Sequence, residues 1–200
     1  MQATRGTSLT STDPAATGPE ERGDGAPHAA DGPTPSSSHR LIFVGVAVTA
    51  YAVDLVTKVL AARHLTEGDP VDVVDGLLRL ELVRNPGAAF STGTSYTLVL
   101  SVIALVAAGV VIRFGRRLGE RTWAVALGLL LAGVCGNLTD RIFRDPGVLR
   151  GHVVDFLALP HWPVFNVADM LIDAAVILII IQTWRGIGIT GARSARGDRS

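Results

Sequence analysis

Apolar residues in this chain are gathered into four long runs rather than spaced at a single helical or strand period. The runs are Leu41–Ala62, Tyr96–Phe114, Thr122–Asn137 and Val164–Trp184. A helix that crosses a bilayer needs about 20 mostly apolar residues. Almost no charge interrupts these runs, so each predicts a membrane span; the third is the shortest and borrows its ends from the interface. A buried core helix would explain one such run, but not four together.

Between the first and second spans the pattern switches to alternation. Val71 and Val73, then Leu78, Leu80 and Leu82, alternate with polar residues, and Asp75-Gly76 supplies a turn between them. That spacing predicts a β-hairpin. An isolated hairpin is marginal in water, so it should rest on the membrane surface or on the helix ends. Asn85–Phe90 reads as a turn rich in small residues, Arg144–Gly147 as a loop, and His152–Leu159 as a short extended segment. The pattern therefore predicts an all-α polytopic membrane protein, four transmembrane helices with a small extracytoplasmic β-element. No internal repeat is visible, and four helices without an inverted duplication argue against a secondary transporter.

The ends of the chain read differently. Residues 1–40 are rich in Ser, Thr, Pro, Gly and Ala without periodicity and are expected to be a disordered cytoplasmic tail. Nothing in them resembles a cleavable signal peptide. Residues 41–184 form the expected four-helix membrane domain, with 64–95 as its hairpin region, and 185–200 a flexible cytoplasmic tail.

Charge adds orientation. Lys and Arg together number 18, as do Asp and Glu, so no broad basic surface points to nucleic acid. Arg113, Arg116, Arg117 and Arg121 fill the link between the second and third spans, and Arg185, Arg193, Arg196 and Arg199 follow the fourth. Excess arginine on short flanking segments marks the cytoplasmic side, which puts both termini there. Cys135 is the only cysteine, so no internal disulfide is possible.

With that topology the polar groups inside or beside the spans converge on the outer interface. Asp54 and Lys58 share a helical face at i, i+4 spacing. Asn137, Asp140 and Arg141 close the third span, and Asn166, Asp169 and Asp173 open the fourth on one face. Asn85 and Asp155 lie in the outer connections. An ionisable side chain at the edge of hydrocarbon is costly and marks a functional site by default. Structural readings stand beside that one: an Asp54–Lys58 ion pair, an Asn137–Asp140–Arg141 network tying helix ends, a turn-stabilising Asn85, and Asp173 bonding a neighbouring helix. His152 and His161 read as loop residues. Asp155 and Asp169 have apolar neighbours and no adjacent cation. If they meet, burial and like-charge repulsion would raise one pKa, and a proton shared between two carboxylates suits activation of water against a peptide carbonyl. No Ser-His, Cys-His or HExxH arrangement competes. Two rivals remain: a metal-dependent hydrolase using Asp140, Asp155, Asp169 and His152, and a structural membrane protein whose carboxylates pair helices.

The blocks DLVTK (Asp54–Lys58), NPGAAF (Asn85–Phe90), GNLTDR (Gly136–Arg141), VVDF (Val153–Phe156) and FNVAD (Phe165–Asp169) occur in an order that resembles the lipoprotein signal peptidase (signal peptidase II) family. The resemblance runs from about Leu41 to Trp184. It implies a bacterial inner-membrane aspartic endopeptidase, working at the outer face without cofactor or metal. Its substrates would be lipidated prolipoproteins, cut just before a diacylglyceryl-modified cysteine. Its surroundings would be membrane lipids, and its state a monomer. By motif position Asp155 and Asp169 carry over as the catalytic pair. Asn137, Arg141 and Asn166 carry over as substrate-orienting or supporting residues, together with Asp140. Asp54 and Lys58 carry over as the pair that shapes the site, and Asn85 as a contact for substrate backbone; Gly87 and Ala168 belong to the same blocks. The Arg141–Asp155 stretch is longer than is usual for the family. That predicts a surface loop before the VVDF strand, with Asp140 the substitute partner for Asp169 if the strand is displaced.

Overall fold

The structure, a computed structural model, describes residues 37–87 and 95–193. The expected tail as far as residue 36, the Ala88–Phe90 part of the NPGAAF turn, and residues 194–200 lie outside the described residues. Four helices are long and apolar enough to cross a membrane: α1 (Ser37–His64), α2 (Ser95–Gly115), α3 (Arg121–Phe143) and α4 (Val167–Trp184). Between α1 and α2 lie β1 (Val71–Val74) and β2 (Leu78–Asn85), and between α3 and α4 lies β3 (Val153–Ala158).

The helices are turned inside out relative to a water-soluble bundle. Large apolar side chains face outward along α2 (Val99, Ile103, Val106) and α4 (Ile177, Ile180), whereas Asp54, Lys58, Asp140, Asn166 and Gln182 are buried. In hydrocarbon the outward face is solvated by lipid, and packing must come from close helix contact and internal hydrogen bonds. Helix α3 supplies the close contact, packing against α1, α2 and α4. Its Gly133 approaches α4 so nearly that an added Cβ would sit 2.5 Å from Ala168 O, and at Gly136 it would run into Asp54 Oδ2. These two glycines, one turn apart, let α1 and α4 close on α3.

The hairpin read from the alternation is present. Strands β1 and β2 pair antiparallel across the Asp75–Leu77 turn, and β3 adds to β2 to make a three-stranded antiparallel sheet in the order β1-β2-β3. The sheet is held on α1 by Ala61, Leu82, Val154 and Phe156, all buried together.

Several boundaries differ from the sequence reading. Helix α1 begins at Ser37 rather than Leu41, so residues 37–40, read as part of a disordered tail, are helical. Helix α3 runs to Phe143 rather than ending near Asn137, because Asp140 faces buried partners, so loss of apolar character does not end the helix. Helix α4 begins at Val167 because Asn166 caps it. The stretch from Arg185 to Arg193, read as a flexible tail, folds back instead. Gly119 N donates to Ile189 O at 3.0 Å, Trp123 Nε1 donates to Ile187 O at 2.9 Å, and Ile187 and Ile189 pack on the cluster around Leu118.

Candidate active site

Four elements bring their polar residues to one end of the bundle: the C-terminal parts of α1 and α3, the N-terminus of α4, and the sheet above them. Arg113, Arg116, Arg117 and Arg185 lie at the opposite helix ends.

The α4 N-terminus is the centre. Its first N–H groups have no partners within the helix, and the sequence FNVAD supplies them. Asn166 Oδ1 accepts from Asp169 N at 3.1 Å, and Asp169 Oδ2 accepts from Asn166 N at 3.1 Å, a reciprocal capping box. The next donor, Ala168 N, reaches across to α1 and donates to Asp54 Oδ1 at 2.8 Å. Ala168 is fully buried, and a Cβ added at Gly133 or Gly136 of α3 would press on it. Carboxylates at a helix N-terminus also gain from its dipole.

Asp54 is held in turn by the only lysine in the sequence. Lys58 Nζ lies 3.0 Å from Asp54 Oδ2 and 3.2 Å from Asp140 Oδ2, and Lys58, Asp54 and Asp140 are at most 2% exposed. The ammonium has a third acceptor, Asn137 Oδ1, at 2.8 Å. That contact settles which way the Asn137 amide faces, because its Nδ2 then points to Asp169 Oδ1, 2.8 Å away. Asp140 ties α3 to the sheet: its Oδ2 accepts from Val154 N at 3.1 Å, and its Oδ1 accepts from Arg144 Nε.

Asp155 arrives from the sheet. The β2–β3 register sets Asn85 opposite Val153 and Val83 opposite Asp155, so Asn85 and Asp155 are diagonal neighbours on one face. Asn85 Nδ2 donates to Asp155 Oδ2 at 2.8 Å. Phe165 then pairs with Leu157, returning the chain beside β3, so that Asn166 Nδ2 donates to Asp155 Oδ1 at 2.5 Å. One asparagine thus touches both acids. Asp155 is buried. Burial above all, with the charge of Asp169 adding to it, pushes its carboxyl up to about 6 against the pull of the Asn85 and Asn166 donors. Arg141 completes the group. Its guanidinium lies within electrostatic reach of Asp155, Asp140 and Asp169, yet its buried Nη1 donates to nothing among the described residues.

The structure therefore gathers Asp54, Lys58, Asn85, Asn137, Asp140, Asp155, Asn166, Ala168 and Asp169 into one hydrogen-bonded network, with Arg141 beside it. Gly87 sits at its edge, in left-handed backbone (φ 103°), and donates to Asn85 Oδ1 at 2.8 Å. Asp140, the substitute partner, spends both oxygens on Lys58, Arg144 and Val154 N. Asp173 is exposed and makes no hydrogen bond or ion pair among the described residues. Neither the His152 nor the His161 ring joins the site. Among the described residues, no three His, Cys, Asp or Glu side chains are grouped to hold a metal ion.

Sequence reasoning passed over Arg144 and Gly151. The i, i+4 spacing of Asp140 and Arg144 was a legible signal. Gly151 was not: its N donates to Arg141 O at 2.9 Å, and a Cβ there would run into Asp140 O.

Residues 46–185 match the family model described as signal peptidase (SPase) II. The lipoprotein signal peptidase of Rhodococcus jostii is 44% identical over 92% of this chain and 94% of its own length. That of Mycobacterium avium is 47% identical over 80% of this chain and 88% of its own. Two solved bacterial membrane enzymes share the fold. One has a TM-score of 0.64 at 28% identity, covering 76% of this chain and 96% of its own; the other has 0.65 at 26%, covering 82% and 98%.

Proposed function

Because the chain belongs to the signal peptidase II family, we propose that its peptide-bond hydrolysis is carried out by an aspartic dyad, Asp155 and Asp169. As a member of that family it is a membrane peptidase that removes signal peptides from prolipoproteins. The observation that carries the dyad reading is the pairing itself: two carboxylates from different elements, each bonded to Asn166, one of them pushed up to about 6 by burial.

With one proton between them, the ionised carboxylate takes a proton from water as the water oxygen attacks the scissile carbonyl carbon. The neutral carboxyl polarises that carbonyl and then protonates the nitrogen as the C–N bond breaks. Asp155, the member whose burial favours the neutral form, starts as the acid, and Asp169 as the base. Asn137 and Asn166 fix Asp169, and Asn85 with Asn166 fixes Asp155, so both acids are held in place before substrate arrives. Arg141 Nη1 is the free donor for a substrate carbonyl. The bond cut precedes the diacylglyceryl-modified cysteine, whose acyl chains lie among the spans. The clustering of arginines at the far helix ends supports cytoplasmic termini and a site at the outer face, and the enzyme acts as a monomer with lipid around it.

The pH dependence tests this reading. The form with a neutral Asp155 is present below about pH 6 and is lost as pH rises through that value. In the free enzyme kcat/KM therefore falls on the alkaline side with an apparent pKa near 6. The corresponding limb of kcat lies higher, because bound substrate removes further water from Asp155. Rates of cleavage of a lipidated prolipoprotein between pH 5 and 9 give both limbs. A flat kcat/KM across that range contradicts the shared-proton mechanism.

A further inference from the structure

Two buried hydroxyls at the site end of α2 are not used by the chemistry above. Thr97 and Ser101 stand one turn apart, 2% and 0% exposed. Thr97 Oγ1 donates to Pro86 O at 2.6 Å. Ser101 Oγ lies 2.7 Å from Leu149 O and 2.9 Å from Thr97 O. A hydroxyl has one proton to give, and the shorter contact is to Leu149.

Both acceptors sit on segments that lead into the dyad. Pro86 directly follows Asn85, the donor to Asp155. Leu149 crowns the long α3–β3 loop, six residues before Asp155, in left-handed backbone at φ 62°. For a leucine that conformation is unfavourable, and it persists only where the surroundings impose it. The root of the loop is tied to α3, through Arg144 on Asp140 and through Gly151 N on Arg141 O. Its crest is tied to α2 through Ser101. The strand pairs at stake are also isolated: Val83–Asp155, Arg84–Val154 and Asn85–Val153 are separated from the rest of the ladder by an irregularity between Leu80 and Val83. Their register is held from the loop ends.

We propose that Thr97 and Ser101 are positioning residues, a two-hydroxyl clamp by which α2 fixes the ends of β2 and β3 and so sets Asp155 against Asp169. The clamp acts through main-chain carbonyls and touches no substrate. It ties the loop between α3 and β3 to α2 ahead of Asp155. This inference rests on the dyad reading above.

The test is Ser101→Ala in the full chain, in lipid bicelles, with a lipidated prolipoprotein as substrate. Geometry-dependent catalysis is steep in small displacements, so kcat is expected to fall about ten-fold at a KM changed less than two-fold. The alkaline limb of kcat/KM should move to lower pH as water reaches Asp155, a readout that mere loss of stability would not shift. Leu149→Asn tolerates left-handed backbone and, added to Ser101→Ala, should restore most of the rate. Unchanged kcat and an unchanged limb in Ser101→Ala overturn the clamp, and so does a rate loss without limb shift that Leu149→Asn fails to restore. If Asp155→Asn itself cleaves substrate, the dyad reading has failed; if it is inactive while Ser101→Ala is normal, only the clamp has.

Discussion

Asp169→Asn inserts into the membrane as the parent does and leaves prolipoprotein uncut, with cleavage down ~10³-fold or more, within the range for loss of a general acid–base group. The substitution is nearly isosteric. It keeps an acceptor for Asn166 N, so the α4 capping box and the helix survive. It removes the one property the mechanism needs, a carboxylate able to take a proton from water. Asp155→Asn should be equally inactive for the complementary reason: an amide cannot give a proton to the leaving nitrogen. Each variant sets its new amide NH2 against one asparagine donor, Asn137 beside position 169 and Asn85 or Asn166 beside position 155, so thermal midpoints should fall modestly while the fold persists. Substantial residual cleavage by either, measured on a lipidated prolipoprotein in bicelles, contradicts the assignment. The metal-dependent rival and the structural rival are separated in the same assay, the first by inhibition with chelator, the second by normal processing in both variants.

Lys58→Met is expected to have the largest effect on stability, a loss of about 3–5 kcal/mol. The ammonium stands between two buried carboxylates, and its removal leaves Asp54 with no cation and Asp140 with Arg144 alone. Protonating them is no escape without further loss, since Asp54 also holds Ala168 N and Asp140 also holds Val154 N and Arg144. The methionine fills the space of the stem but offers nothing to Asn137 Oδ1, whose amide is then free to turn away from Asp169. Activity should fall with stability. Thermal unfolding in detergent measures the first effect; a midpoint equal to the parent's would show that the buried triad is not what holds α1, α3 and α4 together.

Much of this architecture could be read from the chain because it depends on one-dimensional patterns. Four clumps of apolar residues specify four spans, and the Val71 to Leu82 alternation specifies a hairpin. The i, i+4 relation of Asp54 and Lys58 needed only a helix to become an ion pair. What could not be read depends on tertiary partners. The second carboxylate on Lys58, Asp140, lies on another helix, and the end of α3 differs because polar residues that find buried partners look like a helix stop. Asn166 was legible as a polar residue on the right face, but not as the residue that touches both acids, its side chain on Asp155 and its backbone N–H on Asp169, since that requires Phe165 to pair with Leu157. Thr97 and Ser101 gave no signal at all, because hydroxyls that bond main-chain carbonyls leave no trace in the identity of their partners.

The central claim is that Asp155 and Asp169 feel one another across a small gap, and carboxyl titration by difference infrared spectroscopy tests it most directly. The charge of Asp169 helps to hold Asp155 up at about 6, so Asp169→Asn, which deletes that charge, should lower the Asp155 midpoint. An Asp155 carboxyl that titrates at the same pH in parent and variant would mean that the two acids do not share a site.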